Sequence, residues 1–301
     1  MKYLINYKKV YSGIIILFIV CLSVSVRAQL FNQDSLKLVS SQFGFTEGPA
    51  VNQKGEVYFT DQPNNQIWKY GLDKKLTLVS DKAGRANGLY FDKDGNLLVC
   101  ADENNQLWSI SKNGKIKILF KDLDGKKLNG PNDLWADLKG GIYFTDPYYQ
   151  RDYWTRQKPE IIGQKVYYLP AGKNAKLQIA ADDLTKPNGI VGTPDGKYLY
   201  VADIERNKTY RYTIDFEGKL SSQKTVVNQG ADGITLDEKG NLYLAGKGVS
   251  IYNPAGELIG HIDIKNEWTA NVCFGGKDRS ELFITASKSL YIMPMHVKGV
   301  E

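Results

Sequence analysis

Histidine is almost missing from this chain, with His261 and His296 the only two in 301 residues. Neither falls in the repeated motifs described below, so a serine–histidine–aspartate hydrolase is not credible and no imidazole cluster offers a zinc site. Cysteine is equally scarce. Of the three, Cys21 lies in an apolar leader, leaving Cys100 and Cys273. Both occupy inward-looking strand positions, so two buried thiols are expected instead of a disulfide, even in an oxidising compartment. No linker, low-complexity tract or shift of composition divides the chain beyond the leader. Nor is there a real excess of positive charge. The formal net charge of +6 includes Lys2, Lys8, Lys9 and Arg27, all in the first 28 residues and unopposed by any acid there; without those four cations it falls to +2. Nothing therefore suggests nucleic acid or an anionic membrane as a partner.

The one long apolar run is Gly13 to Val26, after a basic start and before Val26-Arg27-Ala28. That is the pattern of a signal peptide with a small-residue cleavage site. The run is short for a membrane span, which needs about 20 apolar residues. Cys21 follows Val20, not the small residue a lipoprotein signal requires. Residues 1–28 are thus expected to be a cleaved signal peptide, ahead of an anchor or a lipoprotein. The mature protein, 29–301, is expected to be one domain in the periplasm or outside the cell, with no stable membrane insertion after cleavage.

What the chain has in abundance is a repeat. GPNDLWADLKGGIYFTD at 130–146 reads as an oxygen-bearing turn, a short strand, a glycine-containing hairpin and a second strand. The pattern returns as EGPAVNQKGEVYFTD from Glu47, NGLYFDKDGNLLVCAD from Asn87, NGIVGTPDGKYLYVAD from Asn188, DGITLDEKGNLYLAG from Asp232 and NVCFGGKDRSELFITA from Asn271. The leading residues are 40, 45, 56, 44 and 39 positions apart. Six all-β units of this length predict a six-bladed β-propeller of four-stranded antiparallel blades. The alternating segment 34–40, DSLKLVS, precedes the first unit, while the last runs out without a fourth strand. The N-terminal strand is therefore expected to complete the last blade and close the ring.

Each first strand runs from its leading residue to a turn such as Gln53-Lys54-Gly55 or Lys93-Asp94-Gly95, and the second strand returns. All leading residues then share one end of the ring. That column is Glu47, Asn87, Asn132, Asn188, Asp232 and Asn271, and two positions on it becomes Pro49, Leu89, Leu134, Ile190, Ile234 and Cys273. The second set is packing. The first puts two carboxylates and several amide oxygens at the channel mouth, a donor set for one hard divalent cation. Calcium comes first, with magnesium and manganese behind it and zinc least natural. Turn capping by Asn and Asp is the competing explanation, stronger for Asn87 and Asn271 than for Glu47 and Asp232. The residue after the leading one is Gly48, Gly88, Gly189, Gly233 and Val272, but Asp133 in the third unit. A carboxylate where the other units avoid bulk marks a functional candidate, with local capping as the alternative.

These residues carry a resemblance. TEGP at 46–49, NGLYFDKDGNLLVC at 87–100, GPND at 130–133 with FTDPYY at 144–149, KPNG at 186–189 and ADG at 231–233 resemble the regucalcin and gluconolactonase family over nearly all of 34–298. No single motif is specific; five in order are. The resemblance implies a six-bladed propeller that hydrolyses lactones with one divalent cation in the channel. It implies Glu47, Asn188 and Asp232 as metal ligands, Asn132 as a residue near metal or substrate, and Asp133 as a substrate contact. Two departures bear on substrate identity: Gly130 stands where a serine is common, and CADENNQ at 100–106 lacks the basic and His residues often seen there.

The expected chemistry is Lewis-acid activation of a sugar lactone, of the glucono-1,5-lactone kind, with water attack assisted by Asp232 first or Asp133 second. The insertion PYYQRDYWTRQKPEIIG, 147–163, leaves the second strand of the third unit and should lie on the same face. Its Tyr149 and Arg151 join Asn87, Asn132 and Asp133 as candidate substrate contacts, against the alternative of aromatics packed on a blade edge. Two other functions stay open at this point. One is a non-catalytic, calcium-stabilised propeller binding a sugar or protein; the other is a phosphotriesterase-like hydrolase using the same site.

Overall fold

The computed structural model describes residues 29–265 and 268–300. The expected signal peptide, 1–28, lies outside them. Six four-stranded antiparallel sheets follow one another along the chain. Their innermost strands are Thr46–Val51, Ala86–Phe91, Leu134–Ala136, Pro187–Gly192, Ile234–Leu236 and Thr269–Gly275, and neighbouring inner strands touch around the ring. Burial falls outward within a blade. Thr46–Val51 is buried at every position, whereas the outer strand Leu76–Ser80 has no buried residue. A blade cannot cover both of its faces alone, so aromatic and branched side chains fill the gaps between blades. Trp135, Tyr143, Tyr168 and Leu199 belong to one such interblade cluster. Cys100 and Cys273 are both buried thiols, as expected.

The ring closes through the N-terminus. Lys37–Ser40 pairs antiparallel with Ser289–Pro294, making the outer strand of the sixth blade. The strand is shorter than the 34–40 pattern predicted. Asn32 accepts the Asp34 N–H at 3.1 Å and caps a 3-10 turn over Gln33–Ser35, so local side-chain bonding takes these residues out of the ladder. The C-terminal residues reach the other way: the Glu238 N–H donates to the Lys298 carbonyl at 2.8 Å, tying the chain end to blade five.

The turns between the first and second strands of the blades lie at the end opposite the leading residues. Gly55 and Gly95 take φ of +96° and +78°, which a side chain would strain, and each donates back to residue 52 or 92. At the other end the inner strands carry irregularities next to their leading residues. Register shifts fall between Glu47 and Ala50, Ala86 and Leu89, and Pro187 and Ile190. In blade six the shift falls earlier, between Thr269 and Asn271. Val272 then takes the axial place expected for Cys273, beside Pro49, Leu89, Leu134, Ile190 and Ile234 around an axial cavity of ≈ 280 Å³. That cavity ends at Asp133 and Asn271.

A candidate metal and substrate site at the channel mouth

The glycines after the leading residues decide how close the blades come. A Cβ on Gly48 would lie 2.1 Å from the Asn87 carbonyl oxygen, one on Gly88 2.6 Å from that of Asn132, and one on Gly189 2.9 Å from that of Asp232. Each bare backbone thus lets the next blade's leading residue move inward. Threonines on the second strands fix the backbone there. Thr60 Oγ1 donates to the Asn87 carbonyl and Thr285 Oγ1 to the Asn271 carbonyl, both at 3.1 Å, while Thr145 Oγ1 accepts the Asp133 N–H at 3.1 Å.

Every residue of the leading column reaches this mouth, and all but the half-buried Asp232 are buried. Glu47 accepts the Gly48 N–H at 2.9 Å. Burial pushes its carboxyl well above the usual range, and the nearby anions Asp232 and Asp133 push it further. Asp133 is raised to about 7, chiefly by burial, although the Leu134 N–H (2.9 Å) and Asn271 Nδ2 (3.3 Å) donate to it. Burial raises Asp232 to about 6, opposed by Trp268 Nε1 donating at 2.6 Å, by Asn188 and by Arg151. Three carboxyls that raise one another's affinity for protons are a site arranged for a positive charge.

Asn188 gives the sharpest sign of it. Its Nδ2 donates to the Tyr149 hydroxyl at 3.0 Å, but its Oδ1 is buried without any hydrogen-bond partner. An orphaned buried acceptor costs roughly 1–3 kcal/mol, which a cation would relieve. The donor set of Glu47, Asp232 and Asn188 Oδ1 therefore fits a hard divalent ion. Among the described residues no group of three His, Cys, Asp or Glu side chains could hold an ion unaided, so the amide oxygen is needed. Asn132 and Asn87 are buried beside it, and among the described residues their hydrogen bonds run through the backbone, not through a capping side chain. Asn271 does cap, its Oδ1 accepting the Val272 N–H at 2.8 Å, and it also bridges Asp133 and Glu47.

The insertion 147–163 does both things open to it. Trp154 is buried and donates through Nε1 to the Asp102 carbonyl at 3.0 Å, and Tyr153 hydroxyl donates to the Asp102 carboxylate. Those two anchor the loop on blade two. Tyr149 and Arg151 instead look into the column: Tyr149 meets Asn188, and Arg151 Nε donates to Asp102 Oδ2 at 2.9 Å while its charge reaches Asp232.

Asp102 and Trp268 were not among the expected site residues. For Asp102 there was a signal. Asp61, Asp146 and Asp203 end their second strands and accept backbone N–H groups of the segment before the inner strand, as Asp146 does from Asn129 and Gly130. In blade two that place is taken by Ala101, paired with Gln106 as Asp61 is with Gln66. The acid has slipped by one residue, and its side chain turns to the loop. Nothing in the sequence singled out Trp268, which precedes the inner strand of blade six.

The fold and the gathered leading column define the class, a six-bladed propeller with its candidate site at one end of the central channel. Residues 45–288 match the SMP-30/gluconolactonase/LRE-like family, and the chain belongs to it. It is 30% identical over 190 residues to a gluconolactonase of Zymomonas mobilis, a match covering 58% of this chain and 52% of that one. The chain thus spans about half the length of that curated relative. A solved gluconolactonase from Xanthomonas campestris superposes with a TM-score of 0.79 at 26% identity, over 86% of this chain and 89% of the other. The calcium-binding protein regucalcin from Agrobacterium tumefaciens, 19% identical with a TM-score of 0.71 over 87% and 94% of the chains, shares the fold.

Proposed function

We propose that this protein is a divalent-cation-dependent hydrolase that opens a sugar lactone of the glucono-1,5-lactone kind, exported by residues 1–28 to the periplasm or beyond. The observation that carries the reading is the buried, unpartnered Asn188 Oδ1 among three mutually repelling carboxyls. The family match and the gluconolactonase relatives support lactones as the substrate class. Glu47, Asn188 and Asp232 would hold the ion, calcium first, with Asn132 beside it. When bound, the cation supplies Lewis acidity to the carbonyl and charge for the oxyanion.

The remaining chemistry belongs to the chain. Asp232, steadied by Trp268, takes a proton from the attacking water as its oxygen bonds to the carbonyl carbon. The ring C–O bond then breaks, and the proton held by Asp232 passes to the leaving oxygen to give the hydroxy acid. Asp133, poised near neutrality, is the second proton acceptor or a contact to a sugar hydroxyl. Asn87, Tyr149 and Arg151 orient the ring. A hydrolysis screen with sugar, homoserine and aliphatic lactones beside a paraoxon-type ester tests this. Sugar lactones should be opened, the rate should vanish with chelator and return with calcium. An ester-only activity, or none with calcium loaded, would overturn the reading.

A further inference from the structure

The mouth carries cations as well as acids, and two of them are incompletely used. Arg151 Nε is committed to Asp102 at 2.9 Å, but its two terminal nitrogens make no hydrogen bond among the described residues. Lys186, half-buried on the step into the inner strand of blade four, has no carboxylate within ion-pair distance of its Nζ among the described residues. Both charges sit over the ring of Tyr149, Arg151 at 5.6 Å and Lys186 Nζ at 4.6 Å from its centre, hence within about 10 Å of each other. Tyr149 in turn touches Asn188, so the pair borders the column where the lactone carbonyl would lie. Asp102 is buried, bound by Arg151, by Tyr153 and by Gln62 Nε2 at 3.3 Å, and fixes the guanidinium with its planar edge free. A neutral sugar does not need both a free guanidinium edge and an ammonium on one side of its binding site. A carboxylate does, because a guanidinium edge and an ammonium both form short, charge-assisted bonds to it.

We propose that Arg151 and Lys186 form a subsite for a second acidic group, so that the substrate is a sugar lactone bearing a carboxylate remote from the ring carbonyl, and that Asp102 is the positioning residue for Arg151. This rests on the lactonase reading for the substrate's ring but on these residues for its charge. Binding to the calcium-loaded full mature chain tests it without turnover, by calorimetry with glucarate, gluconate and glucitol. Glucarate, with its added carboxylate, should bind about tenfold more tightly than gluconate, and raising ionic strength should erode that preference. Lys186→Gln and Arg151→Gln should each bring the two affinities together, while Lys93→Gln, on the turn face, should leave the preference as it is. Equal affinities in the unsubstituted protein, or a preference that survives both substitutions, would overturn the proposal. Should either variant fail to fold, the unsubstituted protein's preference and its salt dependence still decide. Failure of every lactone in a hydrolysis assay would strike the lactonase reading and leave this ratio readable.

Discussion

At the scale of single residues the site is a contest between protons and a cation for the same oxygens. Asp232→Ala and Glu47→Ala should each abolish lactone opening and weaken calcium binding, since each removes an anion from the donor set. Asn188→Asp keeps the oxygen and adds charge, so binding should hold or tighten while turnover falls. Asp133→Asn should spare calcium affinity and cut turnover. Calorimetric calcium titration and initial rates on the four variants check this; four wild-type affinities would reduce the column to turn capping. The pH response follows from the raised carboxyls. With Asp133 near 7, Asp232 near 6 and Glu47 higher than its ordinary value, the folded, cation-free chain keeps protons the unfolded chain has lost. Its stability therefore falls as pH rises from the ordinary carboxylate range to about 7, by a few kcal/mol. Calcium affinity should run the other way, weaker at about pH 5.5 than at about pH 8 by roughly tenfold or more. Melting curves with and without calcium across that range would show it, and a pH-independent affinity would remove Glu47 and Asp232 from the ligand set.

At the scale of elements, two devices shape the mouth: the bare glycine step in four of the six blades and the insertion of blade three. Gly88→Ala drives a Cβ to within 2.6 Å of the Asn132 carbonyl and 2.8 Å of Asp133 Cα, both set by backbone. It should cost about 2 kcal/mol or more and push blades two and three apart. A denaturant midpoint no lower than wild type would mean the inner strands have slack that the structure does not show. The insertion depends on Asp102, which receives Tyr153, Arg151 and, at its carbonyl, Trp154. Asp102→Asn keeps the size and removes the charge that holds Arg151. KM for the lactone should rise several-fold with kcat nearly unchanged, and limited proteolysis within 147–163 should quicken. A variant with a slowed kcat and an unaltered KM would place Asp102 in the chemistry instead.

At the scale of the whole molecule, closure is the question. Sheet edges left open invite pairing with another chain, and the ring removes this one by bringing Lys37–Ser40 onto Ser289–Pro294. A mature chain shortened to begin at Ser41 should melt roughly 5–10 °C lower and associate, as seen by calorimetry and light scattering. An unchanged Tm would show that closure adds nothing measurable. Mass spectrometry of native protein should find Gln29 at the N-terminus, whereas retained residues 1–28 or a lipid on Cys21 would overturn export by a cleaved leader.

Blade number, hairpin polarity and the gathering of the leading column were legible from the sequence alone, because each depends on a local pattern repeated six times. Period-two alternation, Asp-Gly and Lys-Gly turns and a repeat interval of 39 to 56 residues survive without knowledge of any partner strand. Features that break the repeat were decided only in three dimensions. The turn of Asp102 toward Arg151, the shifted bulge that puts Val272 on the axis in place of Cys273, and the reach of Trp268 to Asp232 each depend on a partner outside the local pattern. So does the division of the insertion, whose Trp154 is an anchor and whose Tyr149 faces Asn188. Sequence pattern sets which residues share an end of the ring; only packed backbones set which oxygen is left without a partner there.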